Sequence, residues 1–321
     1  LVTHDGFRVV VALKSPVVQA QVGKDQNSPK NPAAPAMATN KSPFKAPATT
    51  GPGDPKVRVP AGCRAAAGTQ AEPYTKSGWA QVIVHEATGM EMAYIPAGSF
   101  LMGMNPEDKA YPYLRAYVGG WEAVQHRVTL TKGFYMGKTE VTQALWEKVM
   151  GSNPAHFKNA GPEAPVESVS WEDCQNFCQK AGGGLRLPSE AEWEYACRAG
   201  TEGLYAGDPE EMGWYLSNSD GAPQAVGTKN PNAWGLHDMH GNVWEFCQDF
   251  FGPYDSSGDA VTDPSGPTKA GSPPARVIRG GGWGDYGAYC ISAIRGHFST
   301  EKNPGNPAVG CRFVLPAAGA P

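Results

Sequence analysis

From Gly78 onward short apolar runs alternate with polar and turn residues, whereas residues 14–77 carry few large apolar side chains. Gln81-Val-Ile-Val84 and Met90-Glu-Met-Ala-Tyr-Ile95 predict two strands joined by a turn. Pro96-Ala-Gly-Ser-Phe-Leu-Met-Gly103 continues as a turn and a short strand. Arg127-Val-Thr-Leu130 alternates with period two, the pattern of a strand buried on one face. The period then lengthens. Thr142 precedes Gln143-Ala-Leu-Trp-Glu-Lys-Val-Met150, in which Leu145, Trp146 and Val149 share a stripe. Ser170 precedes Trp171–Lys180 with Asp173 three residues on, and Ser189 precedes Glu190–Arg198 with Glu192 three residues on. In that spacing the hydroxyl and the acid satisfy each other's backbone N–H groups, which marks a helix start. Beyond Gly200 helical period disappears, and turn residues and isolated tryptophans dominate. The pattern predicts a mixed fold with a few helices and an irregular, Gly- and Trp-rich second half.

The segment before Gly78 reads differently. Residues 14–77 are rich in Pro, Ala, Lys, Thr and Gly, which cannot bury enough surface to offset their ordering entropy, so a linker or arm is expected there. Ahead of it, residues 1–13 contain Asp5-Gly-Phe-Arg-Val-Val10, an isolated strand whose pattern Val309-Gly-Cys-Arg-Phe-Val314 echoes. That echo suggests the end of a preceding copy of the same kind of domain, and a chain that is processed or part of something longer. The folded domain is expected over 78–321.

Composition sharpens this picture. The 40 Gly and 29 Pro, with 18% charged residues, favour a loop-rich fold over a helical bundle. A net charge of −4 without a Lys/Arg run argues against a nucleic-acid surface. No apolar run approaches the roughly 20 residues that span a bilayer, so no transmembrane segment is expected. Seven cysteines are too few for a disulfide-built scaffold of this length.

Six pieces stand in order: Ile95-Pro-Ala-Gly-Ser-Phe-Leu-Met-Gly103, Lys138-Thr-Glu-Val-Thr142, Leu185-Arg-Leu-Pro-Ser-Glu-Ala-Glu-Trp-Glu-Tyr195, Gly235-Leu-His-Asp-Met-His-Gly-Asn-Val-Trp-Glu245, Arg279-Gly-Gly-Gly-Trp283 and Gly310-Cys-Arg-Phe313. Together they resemble the formylglycine-generating enzyme, or sulfatase-modifying factor, family over roughly Gly78 to Pro316. The resemblance implies an α+β fold, a C-type lectin-like variant with small twisted antiparallel sheets, few helices and many ordered loops. In the family's oxidases two cysteines five residues apart bind copper(I) and activate oxygen to convert a substrate cysteine to formylglycine. Here the later position is Cys290 and the earlier is Asp285. A carboxylate is a hard ligand and cannot replace a thiolate for copper(I), which disfavours copper and the oxidase reaction. Cys290 remains a weak candidate for a lone nucleophile, against the plainer reading of a buried or bridged cysteine.

The same resemblance implies a calcium ion held by Asp238, carbonyls at Gly241 and Val243, and the carboxylate of Glu245; calcium takes six to eight oxygens, which a tight glycine turn can converge. The plainer alternative is a Glu245–arginine ion pair. His237 and His240 have H-x-x-H spacing but flank a turn and have no third ligand nearby, which argues against zinc. Cys174 and Cys178 share a helix face and suit a buried one. Cys197 and Cys311 lie near where the family's enzymes have a disulfide.

Without a copper pair, the expected function is non-catalytic ligand binding or surface assembly. The segment Gly284–Ser299 offers Asp285, Tyr286, Tyr289, Ile291, Ile294, His297 and Phe298 as a ligand surface, since aromatics bury area at low entropic cost. The spacing W-x3-G-x2-C-x-S-A-x-R from Trp283 to Arg295 is similar to that of retroelement-encoded variable proteins on this scaffold. Expected partners are a peptide, protein or glycan, or neighbouring subunits joined through the N-terminal arm. The expected location is exported, periplasmic or extracellular.

Overall fold

The computed structural model describes residues 57–105, 125–254, 260–269, 271, 274–299 and 305–317. The strand expected over residues 1–13, and the expected linker as far as residue 56, lie outside the described residues. In chain order the strands are β1 (Cys63–Ala65), β2 (Val82–His85), β3 (Glu91–Ile95), β4 (Gly98–Met102), β5 (His126–Leu130) and β6 (Phe134–Gly137). Helices α1 (Gln143–Met150), α2 (Trp171–Ala181), α3 (Glu190–Arg198) and α4 (Pro209–Met212) follow. The chain closes with β7 (Trp244–Phe250), β8 (Val261–Thr262), β9 (Ala275–Arg279), β10 (Gly296–Ser299), β11 (Val309–Gly310) and β12 (Val314–Pro316).

Among the described residues three small sheets form, in the orders β1-β2-β3-β6-β12, β10-β9-β7-β11 and β4-β5-β8. All pairings are antiparallel except β11–β7 and β5–β8. The domain begins earlier than the apolar pattern suggests. Cys63 pairs with His85 across β1 and β2, and Arg58 and Ala71 bridge to Trp79 and Ala80, so residues 57–77 belong to the domain and not to the linker. The buried Glu72 carboxylate anchors this extension by accepting from the Tyr74, Thr75 and Ser77 backbone N–H groups.

The helices start where the caps place them. Thr142 accepts from the Leu145 N–H, and Ser170–Asp173 and Ser189–Glu192 both form complete capping boxes. Helices α1 and α2 lay Trp146 and Phe177 on the first sheet, where Trp146, Phe177 and Phe313 stack at centroid distances of 5.2 and 4.9 Å. Helix α3 is buried nearly all round and centres a second core with Trp193, Tyr195, Val128, Phe134 and Val277.

An interior helix with two of its three glutamates buried needs partners for them, because unpaired buried charge is costly. Glu190 Oε1 accepts from Arg279 Nε at 2.9 Å and from Arg295 Nε at 2.6 Å. Glu194 takes the other side of Arg279 at 2.7 Å and Arg198 at 2.8 Å. Burial alone would raise the Glu190 carboxyl, yet Arg295 and Arg279 hold it below the usual carboxylate range. Arg279 ends β9 and Arg295 precedes β10, so one carboxylate fixes both ends of the loop 280–294.

Candidate functional site

The loop between those arginines leaves β9 through Gly280 and Gly281, which adopt φ of 102° and 75°. A Cβ on Gly281 would stand 2.5 Å from the Cys290 sulfur, so glycine is required where the chain folds back on itself. The return is a single 3-10 turn, Gly287–Cys290, braced by the Tyr205 hydroxyl donating to the Gly287 carbonyl at 2.8 Å. Trp244, the first residue of β7, donates its indole N–H to Asp285 Oδ2 at 2.7 Å. The Leu216 N–H donates to the Asp285 carbonyl at 2.8 Å, which brings a second loop beside the first. Tyr286 is 59% exposed and Leu216 44% exposed, the largest apolar exposures in this region. Phe157 packs edge-on against Trp283 at 5.0 Å and extends the aromatic surface.

Asp285 and Tyr286 therefore stand together on this platform, whereas Tyr289 is half-buried and packs against the small core beneath it. Ile291 and Ile294 do not belong to its surface. They are 1% and 4% exposed and form, with Met104 and Ala293, a third small core beneath it. The 3-10 turn directs these aliphatic side chains inward, a choice of face that apolar type alone does not reveal. His297 is exposed on β10 and stacks on Phe251 at 4.6 Å. Phe298, on the opposite face, packs on Phe246 in the first core. A Cβ on Gly296 would meet Trp244 at 3.1 Å, so Trp244 joins the platform to β10, an edge of its sheet.

Cys290 has no exposed surface. Burial, and then the nearby Asp285 carboxylate, push its thiol well above the ordinary value, opposite to what a nucleophile or a metal thiolate needs. Burial also raises the Asp285 carboxyl. One buried thiol and one carboxylate committed to an indole do not fit copper(I), which wants two soft ligands.

The calcium candidates sit on the turn before β7. Asp238 and Asn242 adopt φ of 60° and 65°, and a Cβ on Gly241 would lie 2.2 Å from the Trp214 carbonyl. Asp238 Oδ2 accepts from the Gly227 N–H at 2.7 Å, while Oδ1 is buried without a hydrogen-bond partner. Glu245 is more committed. Arg312 donates to its Oε1 at 2.8 Å and Trp193 to its Oε2 at 2.6 Å. Glu140 is the member that sequence reasoning passed over. Its carboxylate is buried and accepts from the Val243 N–H at 3.0 Å and the Asn242 side chain at 2.7 Å. Burial, then Asp238 and Glu245, push Glu140 well above the usual carboxylate range, and burial pushes Asp238 up to about 6. Three carboxylates thus surround Arg312. Surplus buried negative charge and an unpartnered Asp238 oxygen fit a divalent cation. Among the described residues no group of three or more His, Cys, Asp or Glu side chains could hold a metal alone, so a shell here would draw on carbonyls such as those of Gly241 and Val243. A cavity of about 320 Å³, lined by Glu91, Lys138, Glu140, Glu163 and His237, borders this cluster.

The remaining candidates are structural. His240 is buried, its Nδ1 2.8 Å from the Cys290 carbonyl and its Nε2 accepting from the Ala206 N–H, while His237 Nδ1 lies 2.8 Å from the Lys229 carbonyl. The two rings thus serve different partners. All seven cysteines are free and buried. Cys311 lies in the first core with Cys174 and Cys178 and Cys197 in the second, which separates the suggested disulfide partners.

Curled sheets, few helices and long ordered loops define a C-type lectin-like α+β fold. Residues 80–317 match the sulfatase-modifying factor enzyme 1-like domain family, and the chain belongs to it. The formylglycine-generating enzyme of Streptomyces coelicolor is 36% identical over 170 residues, covering 47% of this chain and 52% of that enzyme. The chaperone protein LppX of Paenibacillus barcinonensis is 30% identical over 215 residues, covering 49% of this chain and 71% of that protein. Among solved structures, Treponema denticola variable protein 1 superposes with a TM-score of 0.61 at 29% identity, over 71% of this chain and 95% of that one. PvdO from Pseudomonas aeruginosa gives 0.56 at 26% identity, over the same shares of 71% and 95%. No helix among the described residues is long and apolar enough to cross a membrane.

Proposed function

We propose that this domain is a non-catalytic binding module whose ligand is an extended polypeptide received on the Asp285–Tyr289 platform. The observation that carries the reading is the pair at the platform's centre: an Asp285 carboxylate hydrogen-bonded to Trp244, and a lone Cys290 thiol with no exposed surface. That donor set supports recognition better than oxidation. Tyr286 and Leu216 supply exposed apolar area beside it. β10 supports a polypeptide over a glycan, because an edge strand adjoining the platform can take on a further strand through main-chain hydrogen bonds. The relative named chaperone protein LppX is in keeping with a polypeptide ligand.

The test is fluorescence anisotropy with a labelled unfolded polypeptide, with neutral oligosaccharides as the competing arm. Tyr286→Ser should weaken polypeptide binding about ten-fold or more, since burying roughly 100 Å² of ring at ~25 cal/mol/Å² contributes about 2.5 kcal/mol, part of which offsets the ordering of the ring. Saturable oligosaccharide binding without polypeptide binding overturns the choice of ligand. A one-to-one copper(I) complex lost in Cys290→Ala overturns the non-catalytic reading.

At the turn before β7, calcium is the second reading, favoured by the unpartnered Asp238 oxygen. Asp238 would hold the ion with Glu245 and the Gly241 and Val243 carbonyls, and the ion would neutralise buried charge and stiffen the turn. Melting should rise in millimolar calcium and not in magnesium, and Asp238→Ala should abolish the rise. An unchanged melting point in saturating calcium refutes it.

A further inference from the structure

We propose that Cys174 and Cys311 are partners in a disulfide that ties helix α2 to the run of chain between β11 and β12. Both are free thiols with no exposed surface, and both belong to the first core. Their pairing follows from the packing around them. Cys174, Phe177, Cys178 and Ala181 form the buried stripe of α2. Cys311 and Phe313 enter the same core, while Arg312 between them turns to Glu245. Phe177 lies flat on Phe313, with ring centroids 4.9 Å apart and planes 16° from parallel, which brings the helix alongside this run. Three residues along a helix advance about 4.5 Å, and two along an extended chain about 6–7 Å. The step from Phe177 to Cys174 thus runs beside the step from Phe313 to Cys311, and the two thiols meet in a hydrogen bond. Cys178 is a full turn further along the stripe, next to Phe177, and Cys197 lies in the second core.

Closing the bond takes two electrons and two protons from the pair, and a disulfide of the glutathione type receives them. One protein thiolate attacks that disulfide and releases a first glutathione thiolate. The second protein thiolate then attacks the mixed disulfide at the protein sulfur and releases the other. Each released thiolate takes up one of the two protons. Burial, and then the hydrogen bond to Cys174, push the Cys311 thiol well above its ordinary value, so no thiolate is on offer once the core has closed. The exchange therefore belongs to folding in an oxidising compartment. The bond would hold a run with short ladders on either side, since β11 contributes two residues to its sheet and β12 three. It would also fasten the segment that carries Arg312 to Glu245, and so brace the turn before β7.

The test is to refold the reduced chain from urea in a glutathione redox buffer, with native protein held in the same buffer as a parallel arm. Mass spectrometry then counts thiols and maps linked peptides. The product should be lighter by two hydrogens, with five of the seven thiols free and Cys174 linked to Cys311. Cys178→Ser should still form the bond, and Cys174→Ser should form none. The oxidised protein should melt about 4–16 °C above its reduced form, because joining residues far apart in sequence restricts the unfolded chain, and Cys174→Ser should show no such gap. Seven free thiols in both arms, or a bond from Cys311 to Cys178 or Cys197, overturns the inference. A Cys174–Cys311 bond that leaves the melting point unchanged overturns its role as a tie.

Discussion

Replacing Glu190 by glutamine would remove one charge from the interior, leaving Arg295 without a carboxylate and Arg279 with only a shared one. Arg279 and Arg295 both bond to Glu190, at 2.9 and 2.6 Å, and both guanidiniums are almost fully enclosed. The substituted amide would keep an oxygen for one of them, while Glu194 remained to neutralise Arg279 and Arg198 together. Removing one member of a buried ion pair typically costs about 3–5 kcal/mol, largely because the partner is left uncompensated. For a domain of this size each kcal/mol moves the melting point by about 2–4 °C, so Glu190→Gln should lower it by about 6–20 °C. Urea titration at pH 7 is the assay, read as a fall in midpoint at unchanged slope. The sign with pH follows from Arg295 and Arg279 holding the folded carboxyl below its ordinary value of about 4.3. Its contribution is complete above that value and is lost as pH falls through the folded one, so the unaltered protein and the variant should converge in acid. Adding Arg295→Met removes one stranded charge and should recover part of the loss. A deficit under about 1 kcal/mol at neutral pH, or one that persists undiminished at pH 3, would refute the reasoning.

Three further outcomes are expected. Asp249 is buried and its carboxyl is pushed up to about 7, so its contribution is complete below about 4 and is lost as pH rises through 7. Asp249→Asn should therefore gain urea stability over the parent at pH 8 and lose the gain at pH 4; a pH-independent difference contradicts this. Gly281→Ala should destabilise by about 1–3 kcal/mol, because its Cβ would meet the Cys290 sulfur at 2.5 Å from a φ of 75°. Gly284→Ala, with no atom within 4 Å, should melt as the parent does, and equal melting of the two variants would be the contrary result. Finally, Ellman's reagent should find no fast thiol in the native protein and all seven after unfolding; one rapid equivalent from Cys290 would contradict its burial.

The three longer helices were legible because each announces itself locally, through apolar spacing and through hydroxyl–acid caps that need only four residues to recognise. Strand β1 was not, since Cys63-Arg-Ala65 has no apolar pattern and exists by pairing with β2. At the platform, the family resemblance set Asp285 where the oxidases have a thiol, and with it the expectation against copper. The side chains' directions could not be read. Ile291 and Ile294 look like Tyr286 in a list of apolar residues, and only the turn at Gly287–Cys290 sends them inward while Tyr286 stays exposed. Glu140 was missed for a different reason: its partners Asn242 and Val243 lie about a hundred residues away, at separations of 102 and 103. Glu190 reaches Arg279 and Arg295 across 89 and 105 residues, and no local pattern encodes such pairings.

The clamp on Glu190 has a consequence for how the domain can change. Both ends of loop 280–294 are tied to the same interior group, so the frame does not depend on the side chains that face outward between them. Residues such as Tyr286 can be exchanged at little cost to the frame, while Gly281, Cys290, Ile291 and Ile294 cannot. The loop is in effect a replaceable cassette with fixed ends and a fixed floor. New specificities would be sought by randomising Asp285 and Tyr286 together with Leu216 on the adjoining loop, and leaving the arginines alone.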